Sequence, residues 1–477
     1  MRKLPLKFLT FFTMASTVSS QAPVLAQKER PPNVVFILTD NQGAWSLGCY
    51  GNPDIRTPNI DRLASEGIRL TRAMSSNPVS SPTRATFLTG LIPSQHGVHC
   101  YIDNKNMIGP EAYNMIDEFT SLGEVLRDAG YVCGLSGKWH LGDHLNPHEG
   151  FSFWATKPGG HTTEFYDQDV IEDGKLRKEA GYTTDLWTRK GIQFIQENKE
   201  RPFFLFLAYN GPYSLGELML NVARNRHAEY YKDKHFTCFP VDAMHPWQQG
   251  NKPFHNKQVA MERLAAETSG VDDGVGEIMS EIKRLGLDEN TIVIYAADQG
   301  LMGGQNGMWG MGDHFRPIGA HELMMNIPFI FRQPGKISAG VSSDILVSNY
   351  DFMPTLLNYL NLQDKMPQKP NSPGRDFSPL LRGKKIEWEN EVFYEMENTR
   401  AIRTDGWKYV ARFPNGPFEL YNMKLDPQER FNMYGQPGTE GKLAELSLNL
   451  NNFFEKYADP KYNIWKGGRS KAKLLTK

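Results

Sequence analysis

Continuous runs of apolar residues recur along the chain, and segments with helical periodicity separate them. Four of the runs, NVVFILTD, YVCGLSGK, PFFLFLAYN and TIVIYAAD, are apolar or β-branched at nearly every position. Strands that are apolar on both faces are typical of a parallel sheet covered by helices on each side. The segments between them include TPNIDRLASEG, FTSLGEVLRDAG, DLWTRKGIQFIQENK and VDDGVGEIMSEIKRLG. This alternation predicts an α/β fold with a mixed, mostly parallel sheet sandwiched by helices.

The pattern changes near residue 366, where the segment MPQKPNSPGRDF is rich in proline and polar residues. Beyond it, EVFYEM, RAIRTDGWKYVARF and FELYNM are short strand candidates, and KLAELSLNLNNFFEKY has helical periodicity. We therefore predict a large α/β domain over residues 27–365. A smaller α+β subdomain with an antiparallel sheet and a helix is predicted over residues 366–477.

The first 26 residues have the features of a signal peptide. A basic start, MRKLPLK, precedes the apolar stretch FLTFFTMASTVSS, and APVLA offers small residues for cleavage after Ala26. The apolar stretch is too short to span a bilayer, so no stable membrane insertion is expected. The alternative is a buried N-terminal helix. A signal peptide predicts a periplasmic or secreted protein.

The amino-acid composition limits the kinds of molecule that the protein is expected to bind. Hydrophobic residues make up 40% of the 477 residues, charged residues make up 22%, and the formal net charge is -1. These values are ordinary for a soluble globular protein and produce no overall field that favours nucleic acid. An anionic substrate would need local positive charge. The four cysteines match no zinc-binding spacing, and their pairing is left open.

Polar residues follow the predicted strands at their carboxyl ends, which is where open α/β sheets bind ligands. They are Asp40, Asn41 and Gln42 after the first strand, Lys138 and His140 after the second, Asn210 and Tyr213 after the third, and Asp298 and Gln299 after the fourth. Carboxylate and amide oxygens suit Ca²⁺ or Mg²⁺. Since Asp and Asn also cap helices and form turns, that reading stays open as an alternative.

The stretch NPVSSPTRATFLTG, residues 77–90, predicts a helix start with Ser80 or Ser81 as the N-cap. Arg84 is unfavourable in the first turn of an isolated helix, where the free N–H groups already carry partial positive charge. Its presence favours an anion bound at this helix end. The alternative is an arginine whose charged group reaches solvent.

The pattern Ser80-x-Pro82-x-Arg84, followed after four residues by Thr89-Gly90, resembles the serine form of the type I sulfatase signature. Further segments occur in the order of that family: GNPDIRTPNIDRLASEGIRLTRA, GLIPSQHGV, GKWHLG, AADQG, IPFIFRQPG and ELYNMKLDPQE. The resemblance covers nearly the whole chain after the signal peptide. It implies the fold of the alkaline phosphatase superfamily, with residues 27–365 as the catalytic domain.

The resemblance also implies roles for individual residues. Ser80 would be oxidised to formylglycine by an anaerobic sulfatase-maturating enzyme, and its hydrate would attack sulfur. The implied metal ligands are Asp40, Asn41, Ser80, Asp298 and Gln299, with Ca²⁺ preferred to Mg²⁺. Arg84 and Lys138 would hold the nucleophile and the sulfate, and His140 would contact the formylglycine.

Three positions depart from the family pattern. Asn41 stands where a second aspartate is usual, Tyr213 where a histidine is usual, and Met311 where a lysine or histidine is usual. A positioned general acid contributes about 10²–10⁴-fold to a rate, so its loss needs a replacement. The candidates for substrate binding or acid catalysis are His161, Tyr213, His314 and Arg316. Each is also readily explained as a solvated loop residue.

The leading hypothesis is an exported sulfatase that hydrolyses sulfate esters of a glycan or saccharide. A phosphoesterase or phosphonate hydrolase of the same superfamily is the first alternative, because sulfate and phosphate are both tetrahedral oxyanions. A non-catalytic glycan-binding protein is the second, favoured only by Tyr213 and Met311. The sequence leaves open which sugar, which sulfate position, endo or exo action, and the oligomeric state.

Overall fold

The strands that the sequence predicts are present in the computed structural model, which describes residues 30–476 together with Met1 and Leu4. The predicted signal peptide otherwise lies outside the described residues and stays a prediction. Pro31–Lys477 is one compact unit. Within the described residues no helix is both long and apolar enough to span a bilayer.

The strands are β1 (Asn33–Asp40), β2 (Ile68–Met74), β3 (Val132–Gly137), β4 (Phe151–Thr156), β5 (Asp169–Glu172), β6 (Lys175–Lys178), β7 (Phe203–Pro212), β8 (Thr291–Ala297), β9 (Met302–Gly303), β10 (Trp309–Gly310), β11 (Asn326–Arg332), β12 (Val341–Ser348), β13 (Glu391–Met396), β14 (Thr399–Thr404), β15 (Trp407–Arg412) and β16 (Glu419–Asn422). The α-helices are α1 (Pro58–Ser65), α2 (Ser80–Thr89), α3 (Pro93–His96), α4 (Leu122–Asp128), α5 (Thr183–Asn198), α6 (Ala228–Tyr231), α7 (Gln258–Arg284), α8 (Glu322–Met325), α9 (Phe352–Tyr359), α10 (Ser378–Leu381) and α11 (Glu440–Tyr457).

Ten of the described strands form one sheet in the order β12-β2-β11-β8-β1-β7-β3-β4-β5-β6. The central strands β8, β1, β7, β3 and β4 run parallel to their neighbours in this series. Antiparallel pairs involve β11, β5 and β6. The predicted mixed, mostly parallel sheet is confirmed, and the polar ends of β1, β3, β7 and β8 lie at one edge of it.

Strand β1 explains why continuous apolar runs form this sheet. All of its residues are buried, and alternate side chains enter the two cores on opposite faces. Val34, Phe36 and Leu38 belong to one core, and Val35 and Ile37 belong to the other. Both faces of the strand are therefore removed from water, and burial of these apolar side chains stabilises the fold.

Helix α2 is buried along its whole length, from Ser80 to Thr89. Its N-cap is Val79, and no side chain accepts a capping hydrogen bond there. The prediction that Ser80 or Ser81 is the N-cap is therefore wrong. The helix starts one residue earlier because Asn77 Oδ1 accepts a hydrogen bond from the Val79 N–H, at 2.9 Å, and fixes the preceding turn. Ser80 is therefore the first helical residue, and its hydroxyl does not cap the helix.

A small antiparallel sheet, β13-β14-β15-β16, follows the large one in sequence. Helix α11 packs against it through Leu446, Leu450 and Phe454, which share a core with Ile402 and Leu420. The predicted small C-terminal sheet and helix are thus present. The domain boundary near residue 366 stays a prediction.

Candidate active site

The carboxyl ends of β1 and β8 bring four oxygen-bearing side chains together. Because the two strands are parallel neighbours, Asp40 and Asn41 lie beside Asp298 and Gln299. The Asn41 N–H donates to Asp298 Oδ1 at 3.0 Å, and Gln299 Nε2 donates to Asn41 Oδ1. All four residues are fully buried. The convergence expected from the sequence is what the structure contains.

Ser80 joins this group from the first turn of α2. Its Oγ donates to Asp40 Oδ1 at 2.9 Å. It accepts from Gln299 Nε2 at 3.0 Å and from Lys138 Nζ at 3.3 Å. We call the following residues the Ser80 cluster: Asp40, Asn41, Ser80, Arg84, Lys138, Asp298 and Gln299. The side-chain oxygen of Ser80 therefore faces both the Lys138 ammonium group and the polar side chains at the ends of β1 and β8.

The buried charges of the Ser80 cluster are paired. Lys138 Nζ lies 2.6 Å from Asp40 Oδ2. Arg84 donates to Asp298 Oδ2 from Nε and Nη2, at 3.1 and 2.9 Å, and its Nη1 donates to the Lys138 carbonyl at 2.7 Å. Arg84 thus contacts the Asp298 carboxylate and is fully buried, whereas an anion bound at the start of α2 stays a prediction. Two cations balance two carboxylates, which makes burial of all four charges tolerable.

Burial raises the pKa of the Asp40 carboxyl, but the charges of Lys138 and Arg84 outweigh burial. The net pKa of Asp40 lies below its usual value, so Asp40 is a carboxylate at neutral pH. A negatively charged oxygen pair at this position is what a bound cation would require.

The chemistry of these side chains fits a hard divalent cation. The carboxylates of Asp40 and Asp298 and the amides of Asn41 and Gln299 offer oxygen atoms, which Ca²⁺ and Mg²⁺ prefer. The Gln299 amide directs Nε2 at Asn41 and Ser80, and rotating it by half a turn would present Oε1 instead. No group of three or more His, Cys, Asp or Glu side chains suited to a metal occurs among the described residues. Amide oxygens would therefore complete any metal site here.

His140 lies beside the Ser80 cluster with both ring nitrogens buried and without a hydrogen-bond partner among the described residues. The Gly160 backbone packs on this ring: a Cβ at that position would lie 2.0 Å from His140 Nε2. Burial and the charge of Lys138 lower the pKa of His140. A neutral imidazole with two unpaired nitrogens can both donate to and accept from a bound group.

Tyr213 and His161 extend the site on the side of β7. The Tyr213 N–H donates to the Asp40 carbonyl at 3.0 Å, and Asn41 Nδ2 donates to the Tyr213 carbonyl at 2.9 Å. The Tyr213 hydroxyl lies 3.2 Å from His161 Nδ1, and the Tyr213 ring centre lies 5.5 Å from Lys138 Nζ. The structure therefore brings both residues to the cluster.

Met311 also contacts the cluster, since Gln299 Nε2 lies 3.3 Å from its sulfur. His314 and Arg316 do not share hydrogen bonds with the Ser80 cluster in the described part of the chain. His314 Nδ1 lies 2.9 Å from Asp313 Oδ1, and Arg316 Nη1 donates to the carbonyls of Asp313 and Phe315. Their roles in substrate binding stay predictions.

The sequence reasoning did not single out Thr83 or commit to Lys157. Thr83 Oγ1 donates to Gln299 Oε1 at 3.3 Å, and its place between Pro82 and Arg84 is the signal that could have found it. Lys157 is buried, donates from Nζ to the His161 carbonyl at 2.5 Å, and so positions the His161 loop. Burial and the charge of Lys138 lower the pKa of Lys157 to about 7.

Two protein-family models match overlapping parts of the chain. The sulfatase family model matches residues 32–362, and a model described as the C-terminal part of N-sulphoglucosamine sulphohydrolase matches residues 314–456. The chain is 26% identical to the N-acetylglucosamine-6-O-sulfatase of Bacteroides thetaiotaomicron, over 93% of this chain and 90% of that protein. It is 31% identical to the N-acetylgalactosamine-6-sulfatase of Rattus norvegicus, over 82% of this chain and 73% of that protein.

Among solved structures, the chain resembles one described as a complex with its substrate D-glucosamine-2-N,6-O-disulfate. The TM-score is 0.71 at 25% identity, covering 90% of this chain and 98% of that one. The family model spans well over half of the chain, and the fold and the order of the motifs agree with it. The chain belongs to the type I sulfatase family, within the alkaline phosphatase superfamily.

Proposed function

We propose that this sulfatase hydrolyses sulfate esters of a saccharide at Ser80, with a divalent cation, preferably Ca²⁺, bound by the Ser80 cluster. The observation that carries the proposal is the position of Ser80, whose Oγ contacts Asp40, Lys138 and Gln299 in one buried group. The activities for which the two relatives described above are named favour a sulfated amino sugar as the substrate.

Charge balance supports an anionic substrate. Without a metal, the cluster contains two carboxylates and two cationic side chains. A divalent cation held by Asp40, Asn41, Asp298 and Gln299 would leave a net charge of about +2, an excess that favours a sulfate ester over a neutral group. Because Asn41 is neutral where an aspartate would carry a negative charge, the positive excess is larger and the metal is bound more weakly.

Sulfatases of this family generally use formylglycine and a divalent cation. When present, the formylglycine supplies a hydrated aldehyde as nucleophile and the cation supplies Lewis-acid polarisation of the sulfate. The chain's own residues supply the positioning. Lys138 Nζ lies between Asp40 and position 80, so it holds a positive charge where the nucleophilic oxygen and a sulfate oxygen would meet. Arg84 fixes Asp298 and the carbonyl of Lys138.

His161 is our candidate for the group that assists the leaving oxygen. Burial raises the pKa of Tyr213, so its hydroxyl stays protonated and donates to His161 Nδ1. That hydrogen bond selects the tautomer in which Nε2 carries the proton. His161 can then donate a hydrogen bond from Nε2 to the leaving oxygen, in place of the histidine that more usually stands at position 213 in this family and commonly binds the sulfate. His140, with its two unpaired nitrogens, would contact the group at position 80.

Release of sulfate from a panel of sulfated sugars tests the proposal. The panel includes N-acetylglucosamine 6-sulfate, N-acetylgalactosamine 6-sulfate, D-glucosamine-2-N,6-O-disulfate, and phosphate esters as a comparison. The chain is produced together with an anaerobic sulfatase-maturating enzyme. We expect sulfate release by the wild-type chain and none by Ser80→Ala, because alanine cannot be converted to an aldehyde.

Ser81→Ala is the matched control, since Ser81 is the adjacent buried serine and its hydroxyl accepts a long hydrogen bond from the Ile102 N–H, at 3.4 Å. It should retain most of the activity. Faster release of phosphate than of sulfate, or equal activity of Ser80→Ala and the wild type, would contradict the proposal.

We further propose export to the periplasm or the medium after cleavage at Ala26. The basic start and the apolar stretch of the first 26 residues support this proposal. The described fold begins only a few residues later, so cleavage would leave it intact. Exported protein should begin at Gln27, and an exported chain that still begins at Met1 would contradict this assignment.

A further inference from the structure

We propose that a cleft beside the C-terminal sheet is a second saccharide-binding site, which holds an uncharged sugar residue of the same glycan chain away from the sulfate being cleaved. We call it the Trp247 cleft. One side is formed by residues of the segment 242–247 and the other by residues of the segment 429–432, and His321 and Tyr421 also line it. The inference rests on the proposed function, since it assigns a further part of the same substrate.

The size and lining of the cleft suit a sugar. Its volume is about 480 Å³, within the range of about 300–1,000 Å³ that is common for small-molecule sites. Arg430 Nη2 lies 3.0 Å from Asp242 Oδ2, so an ion pair joins the two sides. A defined contact therefore links two segments of the cleft that are remote in sequence.

Aromatic rings form much of its surface. The His245 ring centre lies 5.2 Å from that of Trp247 and 6.4 Å from that of His321, and His321 lies 6.4 Å from Tyr421. Trp247 packs one side against a buried cluster that includes Phe315 and stays partly exposed to the cleft. Aromatic rings with polar edges match a pyranose, which has apolar C–H faces and hydroxyls around its rim.

A buried polar atom points to a ligand. His321 is 5% exposed and lines the cleft, and its Nδ1 has no hydrogen-bond partner among the described residues. Burial lowers the pKa of His321 to about 4, so the ring is neutral near pH 7. An unpaired buried ring nitrogen is costly, and a hydroxyl satisfies it whether the nitrogen donates or accepts.

The charges in the cleft favour an uncharged sugar residue over a sulfated one. Glu429 is paired with Lys408, with Oε1 and Nζ 2.7 Å apart, and Asp242 is paired with Arg430. Because each of these side chains already has its counterion, the described residues that line the cleft offer no uncompensated positive charge to a sulfate. Sulfate recognition stays with the Ser80 cluster.

The Trp247 cleft is connected to the active site through one segment of chain. The Arg316 N–H donates to the Trp247 carbonyl at 2.9 Å, and the Gly250 N–H donates to the His314 carbonyl at 3.0 Å. The same segment contains Met311, whose sulfur contacts Gln299 of the Ser80 cluster. A sugar bound at Trp247 would therefore lie across the segment 309–316 from the reacting sulfate, which favours an oligosaccharide substrate over a monosaccharide.

The test measures binding separately from catalysis. Ser80→Ala protein is titrated with size-graded oligosaccharides of chondroitin sulfate, heparin and chitin, and with the corresponding monosaccharides. We expect at least one oligosaccharide to bind more tightly than its monosaccharide. Adding Trp247→Ala should weaken that binding by about tenfold, the order expected for losing an aromatic contact, and leave monosaccharide binding unchanged.

Phe413→Ala is the control, because Phe413 is an exposed aromatic residue that lies outside the cleft lining. If Trp247→Ala protein unfolds at a lower temperature than the control, Arg430→Ala replaces it and should give the same selective loss. The inference is overturned if no oligosaccharide binds more tightly than its monosaccharide, or if both cleft variants bind as the control does. If no sugar of the panel releases sulfate but oligosaccharide binding still depends on Trp247, only the proposed function is contradicted.

Discussion

Three residues of the site, Asn41, His140 and Tyr213, have left-handed backbone conformations, with φ values of 57°, 61° and 56°. For residues other than glycine such conformations cost about 1–3 kcal/mol each and persist where the surroundings fix them. Each of the three follows the carboxyl end of a strand. The turn at each strand end directs the chain so that these side chains face the Ser80 cluster, and the rest of the fold supplies the stability that this requires.

We predict that His161→Ala slows turnover by about 10²-fold or more, as expected for removing a group positioned to assist the leaving oxygen. His161 is hydrogen-bonded to Tyr213 beside Lys138, whereas His314 is paired with Asp313. Steady-state kinetics on the best substrate of the panel would measure the effect. His314→Ala is the comparison and should reduce kcat less. A larger loss from His314→Ala, or none from His161→Ala, would refute the assignment of the acid.

The sequence was sufficient to group Asp40, Asn41, Asp298 and Gln299, because parallel neighbouring strands end at the same edge. It was not sufficient for His161 and Lys157, whose positions depend on the loop that follows β4. The Lys157 contact with the His161 carbonyl joins residues four apart in a loop without regular hydrogen bonds. No periodicity encodes such a contact, so only the folded structure distinguishes these residues from solvated ones.

At the scale of elements, hydrophobic pattern predicted the central strands better than the ends of helices. Helix α7 spans Gln258–Arg284, although the predicted segment began only at Val271. Its first half is also buried, but it includes the charged Arg263 and Glu267, which interrupt the apolar pattern. Where charged residues are buried as pairs, the apolar periodicity is interrupted and does not predict the helix that contains them.

Glu267 in α7 gives a pH-dependent prediction. Burial, assisted by the negative charge of Glu164, raises the pKa of Glu267 to about 7. The hydrogen bond from Tyr182 and the charges of Arg263 and His227 oppose this rise. Unfolded glutamate titrates near pH 4.3, so between these values the folded state binds more protons than the unfolded state. The contribution of Glu267 to the free energy of unfolding should therefore fall as pH rises from about 4 to about 7.

Glu267→Gln removes this titration. The variant should gain stability relative to the wild type as pH rises from 5 to 8, by an amount on the order of 2–3 kcal/mol in urea unfolding. Glu262→Gln, at a partly exposed position of the same helix, should follow the wild-type pH dependence. Parallel wild-type and Glu267→Gln curves would show that Glu267 ionises normally in the fold.

At the scale of the whole molecule, the proposed metal ligands come from segments more than 250 residues apart, the end of β1 and the end of β8. The unfolded chain cannot hold them together, so the cation should bind only the folded state. At about 100 times its dissociation constant such an ion stabilises a protein by about 2.7 kcal/mol. Calcium should therefore raise the unfolding temperature of chelator-treated protein.

Magnesium should give a smaller shift in the same scan, because it tolerates irregular oxygen sites less well than calcium does. Asn41→Asp, which restores one negative charge, should lower the calcium concentration needed for half of the shift. If neither ion shifts the unfolding temperature of protein that is fully stripped of metal, the proposal of a bound cation is contradicted.

The proposed function depends on the conversion of residue 80 to formylglycine inside a site that holds a sulfate ester. The most direct measurement is the mass of the tryptic peptide 73–84, AMSSNPVSSPTR, from protein made together with an anaerobic maturating enzyme. Fragment ions assign any change to one of its four serines. We predict a loss of two hydrogens at Ser80, the same loss in Ser81→Ala and none in Ser80→Ala. An unmodified Ser80 in protein that releases sulfate would contradict the claim.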